Sequence, residues 1–329
     1  MSSANPVPET WDLTGSDAKE TLQRAGYGQL LHDAFERLRA SDGFSHARSM
    51  AFVTSLILVQ GVIALVGLGS TLDEGLVSNA IVSTLREIFP GPAGTVLTDA
   101  VEQAHRAGAQ DRWLALFLGL AGTLITGTTL LGQIERAMNR MYGIEQDRPT
   151  FRKYGRAFVL AISAGAVSVA GFVMMTLGQA IGRLIASPLA ADIWAIIRWP
   201  LAFALLVVST ACIYRWSPRR HQPGWSWLAV GAGVSVTLVL VVTLALNGIF
   251  LLSGTFGETY GPLAGFVALL LWALLSSIAL LLGVGMAAQL EAVRAGVPEP
   301  RRHEAVDGPS VRRAPSDAPA AQAPVRANS

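Results

Sequence analysis

Leu238-Val239-Leu240-Val241-Val242 and Leu269-Leu270-Leu271-Trp272-Ala273-Leu274-Leu275 decide the fold. A membrane β-strand alternates apolar and polar residues over about ten positions. These runs are apolar at every position, which is the pattern of a helix surrounded by lipid or by other apolar helices. They lie inside longer uncharged blocks, from Gln222 to Gly257 and from Thr259 to Leu290. A crossing helix takes about 20 residues to span a hydrocarbon core of about 30 Å, so these blocks hold two crossings. The turn formers of Ser253-Gly254-Thr255-Phe256-Gly257-Glu258-Thr259-Tyr260-Gly261-Pro262 put a reversal between them, giving spans over about 227–252 and 262–289.

Outward from these blocks, four more qualify: 49–69, 113–133, about 158–181, and 193–214. The fourth is interrupted by Arg198 and Pro200, but Trp194, Trp199 and a snorkelling arginine all suit the headgroup level. The composition agrees. Of 329 residues, 51% are hydrophobic and 15% charged, against about 25% charged in a soluble domain. The expected fold is therefore all-α, a polytopic bundle of six transmembrane helices.

Basic residues orient it. Lys19, Arg24, Arg37, Arg39 and Arg48 precede the first span. Arg136, Arg140, Arg148, Arg152, Lys153 and Arg156 lie between the second and third spans, and Arg215, Arg219 and Arg220 between the fourth and fifth. Arg294, Arg301, Arg302, Arg312, Arg313 and Arg326 follow the sixth. Cytoplasmic loops carry the excess of lysine and arginine, so both termini are expected in the cytoplasm of a bacterial inner membrane. The first 48 residues are polar with no early apolar core, so no cleavable leader is expected and the first span acts as a signal-anchor.

Three regions result: a cytoplasmic segment 1–48, a membrane domain 49–291, and a tail 292–329. Residues 1–16 read as disordered. From Asp17 to about Ala40, Leu22, Leu30, Leu31, Ala34, Phe35 and Leu38 form an apolar stripe, the mark of a helix that lies on the membrane surface or packs on the protein's own spans. The long external loop 70–112 carries two amphipathic patterns separated by Phe89-Pro90-Gly91-Pro92, placed to cap the outer mouth of the bundle. The tail is rich in Pro, Ala and Arg and has no apolar period, so it is expected to stay disordered.

Gly127 to Gly143, which contains Gln133-Ile134-Glu135-Arg136-Ala137-Met138-Asn139-Arg140-Met141-Tyr142-Gly143, then Pro149 and a basic run to Arg156, resembles a signature of the YihY/BrkB family of bacterial inner-membrane proteins. Tyr142 stands where that family usually has Trp. Tyr260-Gly261-Pro262-Leu263-Ala264-Gly265 is similar to the start of the family's last span, and the basic turn Arg215 to Arg220 is followed by Trp225 and Gly231-Ala232 as in the family. The resemblance covers roughly residues 25–295. Two departures stand out. Ile57 and Gln60 replace a Ser and Pro of the first span. Gly283-Val284-Gly285-Met286-Ala287-Ala288-Gln289 lacks the acidic and Asn positions of the family's "GAE-x-NAE". The resemblance implies an inner-membrane bundle and, through some members, lipid or envelope handling. The family's former label, ribonuclease BN, is held to be mistaken.

No catalytic constellation stands out. His32, His46, His105, His221 and His303 lie in separate regions without ligand spacing, and Cys212 has no partner for an intramolecular disulfide. Glu135, Glu145 and Asp147 beside the basic loop read as solvated charges. That loop is explained by orientation without a nucleic-acid partner. No enzyme activity, metal or cofactor is expected. Apart from Arg198, no ionisable residue lies within a span. A glycine-lined, charge-free interior suits an amphiphile with a long apolar part. The expected function is a transporter or translocation factor for a lipid-like envelope component; the alternative is a scaffold or regulator acting through cytoplasmic segments. Membrane lipids are the expected partners, with anionic headgroups at the basic loops. Candidate substrate or lipid contacts are Gln60, Asn139, Arg140, Tyr142, Asn247, Tyr260 and Gly261.

Overall fold

The structure, a computed structural model, describes residues 4–69, 74–184, 187–252, 260 and 263–302. In parts of the helices around 69–78, 107–115, 176–184 and 188 it describes the backbone alone. The described residues are almost wholly helical, with one isolated antiparallel bridge between Ala4 and Arg301. The helices are α1 (Gly15–Ala25), α2 (Tyr27–Ala40), α3 (Gly43–Gly69), α4 (Glu74–Ile88), α5 (Gly91–Met141), α6 (Thr150–Leu184), α7 (Pro188–Trp216), α8 (Trp225–Leu252) and α9 (Ala264–Arg294). Six stretches are long and apolar enough to cross a membrane: Gly43–Leu68, Leu116–Met141, Thr150–Met175, Leu189–Trp216, Trp225–Leu252 and Ala264–Arg294. Each coincides with one of the spans expected from the sequence. The first and last described residues thus meet at one end of the bundle, called the termini end.

Aromatic side chains mark two levels. Trp216, Trp225, Phe151 and Tyr154 are exposed toward the termini end, and Trp113, Phe117, Trp199 and Tyr260 toward the other. Along α7, Trp199 and Trp216 are separated by about 26 Å at a rise of 1.5 Å per residue. That is close to one hydrocarbon thickness, as interfacial aromatics require.

Glycines set the closest helix contacts. A Cβ on Gly67 would come within 3.0 Å of Leu116 and one on Gly119 within 2.8 Å of Ala64, so α3 and α5 touch backbone to backbone. Gly231 and Gly283 do the same for α8 and α9. A Cβ on Gly231 would lie 2.8 Å from both Ala287 and the Gly283 carbonyl, and one on Gly283 would overlap Ser235. Small residues at such crossings substitute for the hydrophobic drive that lipid does not provide.

Several sequence expectations are corrected in detail. The external loop's second helix is not separate: its Val96, Leu97 and Val101 form the early turns of α5, a continuous helix of 51 residues. No proline follows Pro92 until Pro149, so nothing stops the helix. The amphipathic segment 17–40 is two helices, broken at Gly26, whose φ of +80° lies in the left-handed region. Leu22, Leu30, Ala34 and Leu38 are buried in the main core at the termini end, with Met50, Ile134, Met138, Tyr214, Trp227 and Leu290. Most of the stripe therefore packs on the protein's own spans. Residues 4–13 are ordered rather than loose. They cross beneath the bundle as a strap, donating from Val7 N–H to the Tyr142 carbonyl (3.2 Å) and from Asn5 N–H to the Pro300 carbonyl (3.0 Å). The start of the tail is docked as well, through Arg301 to Glu36 and Arg302 to Glu145. Residues 303–329 lie outside those described.

A second core at the opposite end joins Ile81, Leu85 and Phe89 of α4 and its turn to Leu97 and Val101 of α5, Val62 and Val66 of α3, and Leu269 of α9.

Candidate functional site

A partly open cavity of about 350 Å³ lies between α3, α5, α6 and α7. Its walls are Ile57, Leu58, Gly61 and Leu65 of α3, Leu124, Gly127 and Leu131 of α5, Ala161, Gly165 and Phe172 of α6, and Ile213 of α7, among others. Leu85 and Phe89 of the α4 segment and Leu97 of α5 reach it from the far end and roof it. The hydroxyls in the wall are satisfied by the protein. Thr123 donates to the Gly119 carbonyl (2.7 Å), Ser209 to the Ala164 carbonyl (2.9 Å), and Ser168 pairs with Ser209 (2.8 Å). What faces the space is hydrocarbon. The size is that of small-ligand pockets.

Two wall glycines differ from those at the helix crossings. A Cβ on Gly61 or Gly165 would meet nothing within 4 Å. No neighbouring helix requires glycine at these positions. Each leaves room in the cavity that a larger residue would fill.

Below the cavity, at the termini end, the chain is closed by a buried polar clamp. Glu291, at the end of α9 and fully buried, accepts through Oε1 from Arg220 Nη2 (2.6 Å) and from the Thr10 N–H (3.2 Å) and hydroxyl (2.5 Å) of the strap. Arg220 also donates to the Val7 and Pro8 carbonyls (3.3 and 3.0 Å) and lies 4.4 Å over the Tyr142 ring. Arg37 of α2 is fully buried and forms no ion pair among the described residues; it donates to Gln289 Oε1 (2.9 Å) and to the Asn5 and Met141 carbonyls (2.8 and 3.1 Å). Burial pushes its guanidinium down to about 10, against the pull of Tyr142 and Asp33, and it stays cationic at neutral pH. The strap fits because Gly143, at φ +74°, has no side chain: a Cβ there would lie 2.6 Å from the Pro6 backbone.

A second buried knot joins the α5–α6 turn to the α7–α8 turn. Asn139 is fully buried, donates to Asp147 (3.1 Å) and accepts from the Arg219 N–H (2.8 Å). Arg136 and Lys153 reach the other Asp147 oxygen (3.1 and 3.2 Å). Burial raises the Asp147 carboxyl, but the Asn139 amide and the two cations outweigh it and hold it below the usual range. Glu135 pairs with Arg148 (3.0 Å), which caps the end of α7 by donating to the Ser217 and Pro218 carbonyls (2.6 Å each). Arg156 donates to the Trp216 carbonyl (2.7 Å). Basic side chains at helix C-termini complement the dipole and the unpaired carbonyls there. Among the described residues no group of His, Cys, Asp and Glu is placed to hold a metal ion.

The residues singled out from the sequence are divided by this geometry. Asn139, Arg140 and Tyr142 gather at the termini end. There Asn139 and Tyr142 are sealed beneath the strap and turns, and Arg140 donates to the Glu145 carbonyl (2.8 Å). Gln60 lies in the α3–α5 seam beside the cavity and accepts from Thr126 (2.7 Å). Asn247 is half-buried on α8 and Tyr260 is exposed; neither lines the cavity. Gly261 lies outside the described residues. The sequence reading missed Arg37, Glu291, Gly61 and Gly165. Arg37 had a signal: it falls among Leu30, Ala34 and Leu38 on the apolar face. Glu291 stands two residues past the stretch in which an acidic group was judged missing.

The family model described as Virulence factor BrkB matches residues 34–308. The chain belongs to the BrkB family. Among its relatives is a ribonuclease-like protein of Bacillus subtilis (strain 168), YfkH, 23% identical over 269 residues that cover 77% of this chain and 92% of that one. UPF0761 membrane proteins of Azoarcus sp. (strain BH72) and Halorhodospira halophila (strain DSM 244 / SL1) are 26% and 24% identical over 273 residues each. Those alignments cover 78% and 82% of this chain but only 62% and 58% of the relatives' own length. No solved structure matches this chain.

Proposed function

We propose that this BrkB-family membrane protein moves an amphiphile with an extended apolar part, a lipid-like envelope component, across a bacterial inner membrane in which both its termini are cytoplasmic. The observation that carries the reading is the hydrocarbon-walled cavity between α3, α5, α6 and α7, roofed by Leu85, Phe89 and Leu97. A charged or strongly polar cargo would lose its hydration there without finding partners, whereas apolar chains enter at no such cost. The closed clamp below and the roof above give the site two ends that open in turn. The concentration of arginine at the termini end supports the orientation.

No enzymatic role is proposed. The ribonuclease-like name of the Bacillus relative would ask Glu135, Glu145 and Asp147 to converge, and each is engaged by a basic side chain: Arg148, Arg302, and Arg136 with Lys153. A scaffolding role is the second reading. It is favoured by one observation, the exposure of Tyr27, Leu31 and Phe35 on α2.

Gly61→Leu and Gly165→Leu test the transport reading, because both positions line the cavity and a Cβ at either meets nothing within 4 Å. In proteoliposomes with fluorescent lipid in the inner leaflet, wild type is expected to expose that lipid to an impermeant quencher faster than protein-free vesicles. Either variant, folded as judged by thermal unfolding, is expected to lose about tenfold or more of that rate, on the order of 1.4 kcal/mol of barrier. Wild-type rates equal to empty vesicles, or variants as fast as wild type, would sink the proposal.

A further inference from the structure

We propose that α2 is a membrane-surface element that dips one edge into the headgroup region of the leaflet at the termini end. Its apolar arc is wider than the strip the bundle covers. Leu30, Ala34 and Leu38 are buried against the spans, while Tyr27, Leu31 and Phe35, spaced four residues apart and so neighbours along one edge of the helix, are 65%, 46% and 40% exposed. Three exposed apolar side chains in line, outside the spans, are an interaction surface rather than scattered surface apolars.

The occupant follows from what the edge joins. The Phe35 ring meets Phe44 edge-on, with centroids 5.9 Å apart. Phe44 lies in the first turn of α3, and Phe52 and Leu56, exposed two and three turns further along α3, lie in the part of the helix that crosses the membrane. The α2 edge therefore continues the lipid-facing surface of α3 around the Ser41–Asp42 corner. Beyond the edge stand Arg39 and His32, both exposed, with Arg48 on the first turns of α3. An apolar edge bordered by basic residues is the pattern of a helix lying in the interface, its apolar face reaching roughly 5–10 Å into the boundary of headgroups and acyl chains. A bilayer fits this continuity; a second protein would have to bridge the corner and displace lipid from α3. The proposal does not depend on the transport reading.

Site-directed spin labelling tests it on the full chain with Cys212→Ala. Leu31→Cys and, separately, Phe35→Cys carry the nitroxide, with His32→Cys as the polar-face control. All three sites are exposed, so folding is not at stake. In vesicles of phosphatidylethanolamine and phosphatidylglycerol, labels at 31 and 35 are expected to collide with oxygen several-fold more, relative to a water-soluble nickel chelate, than the label at 32. Equal nickel access at all three sites places the edge in water and overturns the proposal. Labels at 31 and 35 shielded from both reagents, with spin–spin broadening between chains, would assign the edge to a second copy and overturn it as well.

Discussion

Glu291 is fully buried, which disfavours its charged form, and three donors that converge on one of its oxygens, two from Thr10 of the strap and the third from Arg220, pull against that cost. Removing one member of such a pair leaves the other buried and uncompensated, which costs about 3–5 kcal/mol. Glu291→Ala is therefore expected to lower the thermal midpoint in detergent sharply. Glu291→Gln, which keeps the volume and an acceptor, should lower it less, and Glu291→Leu combined with Arg220→Met should recover part of the loss. A Glu291→Ala protein as stable as wild type would refute the clamp. Asp147 gives a pH signature. Its folded pKa lies below the ordinary value of 3.8, so its contribution is present above about pH 4 and is lost as pH falls through the folded value. Stability is expected to drop on acidification into that range, and Asp147→Asn should be less stable at neutral pH with a shallower acid slope. These buried charges were the least legible part of the sequence. A charge count assigns Arg37, Arg220 and Arg148 to orientation and stops there, because burial depends on which turns meet in space. Arg37 alone was betrayed locally, by its place in an apolar stripe.

At the scale of helices, glycine separates into two uses that no local pattern distinguishes. Gly231 and Gly283 let α8 and α9 touch, while Gly233, two residues from the first, has open space where a Cβ would stand. Gly283→Ala is expected to force the helices apart and cost about 1–3 kcal/mol, as overpacking does. Gly233→Ala should leave the thermal midpoint unchanged within error. Equal effects would mean that helix propensity rather than close approach governs both sites. The positions of the six spans were readable, since an uninterrupted apolar run can only be a helix in lipid. Their ends were not. α5 runs on for more than twenty residues before its apolar part begins at Leu116 because nothing in 93–115 breaks a helix, and polarity does not mark that continuation. The division at Gly26 was visible as a glycine but was overridden by the apolar stripe on either side of it.

The whole molecule is closed at the termini end by its own beginning. Residues 4–13 supply two donors to Glu291 and two carbonyl acceptors to Arg220, and Trp11 stacks on His221 at 3.7 Å. Deleting residues 1–13 removes these hydrogen bonds, at about 1 kcal/mol each and more for those to charged groups. The shortened protein is expected to unfold at lower temperature and to exchange amide hydrogens faster around Tyr142 and Arg220. Unchanged exchange there would show that the turns hold themselves. The strap was unreadable in advance: Pro6, Val7 and Pro8 form no period, and it is the groove over Gly143 together with Arg220 and the Tyr142 carbonyl that orders them.

Continuity gives α5 one further property. Its early turns share a core with Val62 and Val66 of α3 through Leu97, while its apolar part meets the same stretch of α3 where Gly119 faces Ala64 and Gly67 faces Leu116. Leu97 and Leu131 accordingly line one cavity although 34 positions of the chain separate them. The middle of α3 is thus a keystone, a single segment against which both the roof and the wall of the cavity are set.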